Sequence, residues 1–318
     1  MHALQAAHLG HMLGVLAYGE RADPWPLTAI PSAWTGLHTR EGDARYEVWM
    51  SRTPVSFDTV DGIACTSNDE VLFGTIEFAE TAAFEAEALA HYLRMFALVD
   101  RAGYPHLLRI WHYLPQIHLD EDGLERYKRF SVSRHEAFVR SGRDIARDAP
   151  AASALGRRPG AAVIAFLAGR RRAMPIENPR QTSAYRYPPQ YGPRGPTFAR
   201  AAYTAWGDQE QLYVSGTASI VGHESAHPGE PVRQAEETIR NLRAVLTETD
   251  ARAATARRWE QLLFKVYLRP DVTQPDLDQR LRDSFGEQVD VLVLEAEICR
   301  RELLLEIEAI ALRPAADL

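Results

Sequence analysis

Cys299-Arg-Arg-Glu-Leu-Leu-Leu-Glu306-Ile-Glu-Ala-Ile-Ala-Leu312 sets carboxylates inside an aliphatic, strand-like run. Successive side chains of a strand point to opposite faces, so Leu304, Glu306 and Glu308 share one face, opposite Leu303, Leu305, Ile307 and Ala309. That acidic face is either plain solvent or the wall of a cleft, and Glu306 is the position at which chemistry would sit. Working outward, Val289-Asp-Val-Leu-Val-Leu-Glu-Ala-Glu297 reads as the preceding strand and Pro275 to Phe285 as a helix carrying Leu277, Leu281 and Phe285. Leu262-Leu-Phe-Lys-Val-Tyr-Leu268 is another strand, ended by Pro270. Before it, Val232, Ala235, Ile239, Leu242, Val245 and Leu246 give a helical face with Pro231 at its first turn. Gln211-Leu-Tyr-Val-Ser-Gly-Thr-Ala-Ser-Ile-Val-Gly-His223 is a strand running into a glycine-interrupted strand. The order β-β-α-β-α-β-β describes an α+β unit, a mixed sheet with helices packed on one face.

The first half shows the same vocabulary. Arg45-Tyr-Glu-Val-Trp49 and Glu70-Val-Leu-Phe-Gly-Thr-Ile-Glu-Phe78 are strand-like. From Thr81 to Ala102, Phe84, Ala88, Tyr92, Met95, Phe96 and Val99 recur at helical spacing, and Gly103 with Pro105 stops the helix. His106 to Tyr113 reads as a strand, Asp120 to about Ala146 as a second long helix, and Ala161 to Ala168 as a buried strand. Between the halves, Pro175, Pro179, Pro188, Pro189, Pro193 and Pro196 stand among arginines and tyrosines, so no regular element runs through that segment. The boundary falls near Met174, dividing the chain into 1–174, a degenerate copy, and 175–318.

With 318 residues, 46% hydrophobic and 25% charged, the chain is long enough for two linked subdomains. A net charge of −7 argues against a nucleic-acid partner, and the short Arg170-Arg171-Arg172 run does not reverse it. Cys65 and Cys299 are far apart and in no metal-ligand spacing, which fits a reducing cytoplasm. Met1 to Tyr18 is punctuated by His2, His8 and His11 and lacks the layout of a leader, and no run is long enough for a membrane span. His223 and His227 stand four apart, but Gly222, Pro228 and Gly229 make that stretch a turn rather than a metal-binding helix.

Tyr191-Gly-Pro with Phe198-Ala-Arg-Ala201, Leu212-Tyr-Val-Ser-Gly216, Gln234 to Leu246 and Glu306-Ile-Glu-Ala-Ile-Ala311 resemble the RidA/YjgF family, small proteins with active sites at subunit contacts. Where that family carries an arginine before the final strand, this sequence has Ile298-Cys299-Arg300. A narrower resemblance covers nearly the whole chain. Arg109-Ile-Trp-His-Tyr-Leu-Pro115, Glu125-Arg-Tyr-Lys-Arg-Phe130, the segment from Pro175 to Arg194, Val214 to Glu224 and Cys299 to Glu306 are similar to the chorismatases. The resemblance implies two RidA/YjgF-like subdomains and cleavage of chorismate, without a cofactor or metal, to pyruvate and either a dihydroxycyclohexadiene acid or a hydroxybenzoate.

Chorismate is a small dianion, and the residues from Tyr185 to Arg200 suit one. Arg186, Arg194 and Arg200 offer guanidinium forks for carboxylates, Tyr185, Tyr187 and Tyr191 offer phenols and ring faces, and Phe198 lies among them. Arg134 is a further candidate, reaching the site from the first half. The resemblance gives Glu306 the role of general acid on the enolpyruvyl methylene, with Glu302 as the other carboxyl. It also makes Gly216 and Cys299 the pair that selects the product: alanine at both positions accompanies the diol, glycine and cysteine accompany 3-hydroxybenzoate. Structural readings stand beside these, a bulge for Gly216 and core packing for Cys299. The expectation is a chorismatase making 3-hydroxybenzoate, with 4-hydroxybenzoate as a second product. The alternatives are hydrolysis to the diol, a non-catalytic carboxylate-binding protein on the same fold, and an imine deaminase. Oligomeric state and downstream pathway stay open.

Overall fold

A computed structural model describes residues 9–20, 29–40, 42–81, 83–206, 209–273, 275–286 and 289–314. The first eight residues, read above for a leader, lie outside that set. The first half contains β1 (Met12–Tyr18), β2 (Ser32–Trp34), β3 (His38–Thr39), β4 (Arg45–Met50), β5 (Ser56–Val60), β6 (Ile63–Ser67) and β7 (Val71–Phe78). It continues with helix α1 (Phe84–Ala102), β8 (His106–Pro115), the two-residue strands β9 (Asp120–Glu121) and β10 (Leu124–Glu125), α2 (Arg126–Arg140) and the single turn α3 (Ile145–Asp148). Strands β11 (Ala151–Arg157) and β12 (Ala162–Gly169) complete it. The second half has β13 (Met174–Ile176), β14 (Ala201–Trp206), β15 (Gln209–Thr217), the short hairpin β16 (Ile220–Val221) and β17 (Glu224–Ser225), and α4 (Pro231–Ala253). Strand β18 (Leu263–Leu268), α5 (Pro275–Phe285), β19 (Val291–Glu295) and β20 (Leu305–Pro314) follow.

Two mixed sheets organise these elements, in the orders β11-β8-β12-β7-β6-β5 and β13-β14-β15-β20-β18-β19-β3. One face of the first buries the apolar side of α1 and α2, where Tyr92, Phe96, Phe130 and Phe138 pack on Ile110, Ile164 and Phe166. One face of the second buries Ile239, Leu242 and Val245 of α4 and Leu277 and Leu281 of α5 against Leu212, Val266, Leu305 and Ile307. The helix-free faces meet in a shared core: Phe73, Trp111, Tyr113 and Leu155 from the first sheet, Tyr213, Tyr267 and Ile310 from the second. Leu16, Tyr18 and Trp49 of a third sheet, β2-β1-β4, join them. The two halves also exchange pairing, because β3 adds its two residues to β19.

Several boundaries move from the sequence reading. The long helix read from Asp120 begins at Arg126 and ends at Arg140, because Asp122 and Gly123 both take positive φ (54° and 77°) and turn the chain into the β9–β10 hairpin instead. The strands β1, β11 and β14 were not read from the sequence, nor were the short β2, β3 and β13. In β20 the alternation holds from Leu305 onward, with Leu305, Ile307 and Ala309 on the helix side and Glu306, Glu308 and Ile310 toward the inter-sheet core. Leu303 breaks it, lying in the inter-sheet core on the turn that enters the strand.

Candidate active site

A cleft of about 330 Å³ opens where the edge of β11 diverges from β14 and β15. The strands start together: Ala199 N–H donates to the Pro150 carbonyl, and Ala151 bridges Ala199 in parallel register. One residue on, Ser215 Oγ inserts between them, accepting from Ala152 N–H at 2.9 Å and donating to the Ala199 carbonyl at 2.5 Å. The volume lies in the range of small-molecule sites.

Glu306 forms the floor of this cleft. It is only 4% exposed, and its Oε1 has no hydrogen-bond partner among the described residues. Burial, reinforced by the neighbouring Glu308 carboxylate, pushes its carboxyl up to about 8, against the opposing pull of Arg109 and Arg200. At neutral pH it carries a proton. Gly216 makes room for it. The β15–β20 ladder shifts register between Val214 and Thr217, and the bulge brings the Gly216 backbone so close that an added Cβ would overlap the carboxyl group, standing 2.5 Å from Glu306 Cδ. The bulge and the room for the acid are thus one feature.

Glu308, two residues along the same face, is its electrostatic opposite. It is fully buried, paired with Arg109 at 2.5 Å and Lys265 at 2.6 Å, and accepts from Trp111 Nε1 at 3.0 Å and Ser153 Oγ at 2.5 Å. Those cations outweigh burial and hold its carboxyl down to about 2. Behind the cleft, His112 lies between Tyr92 Oη at 2.5 Å and the Ser153 carbonyl at 2.7 Å. A carbonyl only accepts, so Nδ1 carries the proton and Nε2 accepts from Tyr92; burial and the nearby Arg134 keep the imidazole neutral.

Four guanidiniums line the cleft; Arg301 is exposed and paired with Glu125 at 3.1 Å, and the other three are held differently. Arg134 of α2 is 3% exposed, lies over the Tyr92 ring at 5.9 Å, and has Nε and Nη2 without hydrogen-bond partners. Arg200 is equally buried; its Nη2 donates to the Thr182 carbonyl at 2.8 Å and Tyr187 Oη at 2.7 Å, and Nε is unpartnered. Arg300 lies 3.9 Å over the Tyr191 ring, donates through Nη1 to the His223 carbonyl at 2.9 Å, and leaves Nη2 buried and unpartnered. None of the three is in an ion pair among the described residues. Buried cations without counterions are costly, and arranged around a small cavity they mark it for an anion.

Of the sequence candidates, Tyr191, Phe198, Arg200, Arg134, Gly216, Cys299 and Glu306 line the cleft together with Glu302. Tyr185 and Arg194 do not. The connection bends at Gly192–Gly195, where a side chain on Gly195 would meet the Ala184 carbonyl at 2.6 Å; that bend leaves Arg194 exposed, while Tyr185 packs beside Arg186 at 5.8 Å. Tyr187, named with Tyr185 and Tyr191 among the phenols, takes the inward place, 5.4 Å from Tyr191. Arg300 and Ser153 were missed, although Arg300 fell at the arginine position of the RidA/YjgF comparison. Cys299 lies beside the acid, half-buried, and burial with the Glu306 charge pushes its thiol up to about 12, so it is a thiol and not a thiolate. Glu302 is exposed and accepts from Ser225 Oγ at 2.8 Å. His223 is turned to Tyr191, its Nδ1 3.4 Å from the phenol.

A family model described as chorismatase FkbO/Hyg5-like, N-terminal, matches residues 47–168. A 3-hydroxybenzoate synthase from Streptomyces hygroscopicus is 34% identical over 84% of this chain and 81% of its own length. A chorismatase from Streptomyces rapamycinicus is 34% identical over 91% and 87%. The crystal structure of a chorismatase superposes on 98% of this chain and 96% of its own with a TM-score of 0.88 at 31% identity. The Rid-family protein YyfA of Yersinia pestis matches 44% of the chain at 19% identity and a TM-score of 0.33. Since both sequence and fold are shared with chorismatases across most of its length, the chain belongs to the chorismatase family.

Proposed function

We propose that this protein cleaves the enolpyruvyl ether of chorismate, releasing pyruvate and forming 3-hydroxybenzoate. The observation that carries this reading is a buried Glu306, its Oε1 without a partner, facing a cleft where the buried Arg134 and Arg200 have no counterion among the described residues. The two substrate carboxylates are held by guanidinium N–H groups of Arg134, Arg200 and Arg300, while Tyr187 and Tyr191 flank the ring. Glu306 gives its proton to the methylene carbon, and the ether becomes an oxocarbenium ion. The ring hydroxyl displaces the ether oxygen, whose bonding electrons leave with pyruvate, and the hydroxyl proton restores Glu306. One C–O bond of the resulting epoxide then breaks as the Cys299 thiol gives its proton to the oxygen, and the ring proton lost on aromatisation returns to the sulfur. Glycine at 216 and cysteine at 299 support this branch over the diol, as does the similarity to a 3-hydroxybenzoate synthase.

Incubation with chorismate followed by chromatography tests the proposal: pyruvate and 3-hydroxybenzoate are expected in equal amounts. The diol in place of the benzoate overturns the product assignment, and absence of pyruvate overturns the whole reading. Glu306→Gln should lower kcat by about 100-fold or more while chorismate still binds, since general acid catalysis is worth about 10²–10⁴-fold. A binding protein without turnover would instead show no pyruvate from either form.

A further inference from the structure

Strand β11 is the edge of its sheet. An edge strand presents the N–H and C=O of every second residue outward. The bonds at its two ends identify which residues these are. The Pro150 carbonyl accepts from Ala199, Ala152 N–H donates to Ser215 Oγ, and Gly156 exchanges both of its backbone bonds with Glu297, at 2.7 Å and 3.1 Å. Even-numbered residues therefore face outward. Ala154 lies midway between the two pinned points, and among the described residues no hydrogen bond reaches its N–H or C=O, or the Ala152 C=O, from that side. Ala152 and Ala154 are 4% and 9% exposed, and both line the cleft. Buried backbone groups are almost always paired, so these three point to a ligand.

We infer that the open edge of β11 at Ala152–Ala154 is a neutral subsite that holds the ring hydroxyl of the substrate. This rests on the chorismate reading above. A hydroxyl both accepts, here from Ala154 N–H, and donates, here to the Ala152 or Ala154 carbonyl; a carboxylate uses only the first and is repelled by the carbonyls. The anionic groups have Arg134, Arg200 and Arg300 for partners, which leaves the uncharged edge to the uncharged oxygen. Between the Ser215 contact at Ala152 and the bridge from Gly156 to Glu297 lie about 13 Å of edge, taking four residues at 3.3 Å each, enough for one ring. Alanines at 152 and 154 suit such a wall, because the backbone itself makes the contact.

The test uses the full-length Glu306→Gln protein carrying ¹⁵N-alanine. Adding chorismate should move the Ala154 amide proton downfield and slow its exchange about tenfold, as one new hydrogen bond would. An analogue of chorismate lacking the ring hydroxyl should bind without either change. If chorismate binds and the Ala154 amide is unaffected, the subsite is wrong while the function stands. If the deoxy analogue protects Ala154 equally, the edge holds a carboxylate and the assignment to the hydroxyl falls. If chorismate does not bind at all, the functional reading and this inference fall together.

Discussion

Glu306 and Glu308 differ by one turn of the pleat and sit on one face, yet one is held up at about 8 and the other down at about 2. The difference lies in their partners, since both are buried: Glu308 is surrounded by Arg109, Lys265, Trp111 and Ser153, whereas Glu306 has a glycine backbone and its neighbour's negative charge beside it, and the pull of Arg109 and Arg200 does not offset its burial. Such a split assigns acid and spectator roles within one site. The active form of Glu306 is the protonated one, present below its pKa, so kcat for pyruvate release should be level below pH 8 and fall about tenfold per unit above it. Glu308→Gln removes a charge that raises Glu306, so the alkaline limb should move to lower pH, and a limb left in place would show that burial alone sets the proton. Gly216→Ala puts a methyl where the carboxyl lies. Displacement of the acid by about 1 Å should lower kcat about 100-fold with KM within about threefold, measured with chorismate at pH 7.

At the scale of elements, the sequence was readable where periodicity and stop signals agreed. Helix α1 ends at a left-handed Gly103 and α4 starts at Pro231, as their spacing predicts, while the start of α1 falls at Phe84 rather than Thr81. The alternation in β20 placed two carboxylates on one face correctly, but whether that face met water or a cleft depended on the first sheet, which no local pattern reports. Strand β11 was invisible because Ala151-Ala-Ser-Ala-Leu-Gly-Arg157 has no β-branched or aromatic residue. Its smallness is dictated from outside, since a side chain on Gly156 would overlap Ile117 and come within 2.6 Å of Glu297 Cβ. The β9–β10 hairpin was legible in principle, as Asp122-Gly123 is a strong hairpin-turn dipeptide. Arginines were harder: Arg200 and Arg194 look alike in sequence, and only the Gly192–Gly195 bend separates a buried donor from a solvated one. The turn before β20 is also held from a distance. Gln234 of α4, fully buried, donates to the Glu302 carbonyl at 2.8 Å and accepts from Leu304 N–H at 2.8 Å. Gln234→Ala orphans both backbone groups and should cost about 1–3 kcal/mol in urea denaturation, and should raise KM because Cys299 and Arg300 sit on the freed turn.

Across the whole molecule, one ionic cluster joins the three sheets. Arg109 comes from β8, Glu308 and Lys265 from adjacent strands of the second sheet, and Glu47, 2.7 Å from Lys265, from the third. Tyr18 of β1 bonds both Lys265, at 3.3 Å, and Glu47, at 3.1 Å. Around this cluster lies the apolar core that all three sheets share, with Trp49 5.3 Å from Trp111 and 6.2 Å from Tyr213. Neither half buries its inner face without the other, because each sheet has helices on its outer side only. Unfolding should therefore be a single transition, with tryptophan fluorescence and far-UV circular dichroism changing together in urea; two separated transitions would mean that the halves are autonomous. Glu308→Ala is the sharpest perturbation of that unit. It strands Arg109 in a core from which water is excluded and leaves Lys265 with Glu47 alone, and breaking a buried pair on one side costs about 3–5 kcal/mol. The unfolding free energy should fall by that amount, and the urea midpoint should drop for both probes at once. A loss confined to the circular dichroism of one half, or a change below about 1 kcal/mol, would mean that the cluster is solvated and does not tie the sheets together.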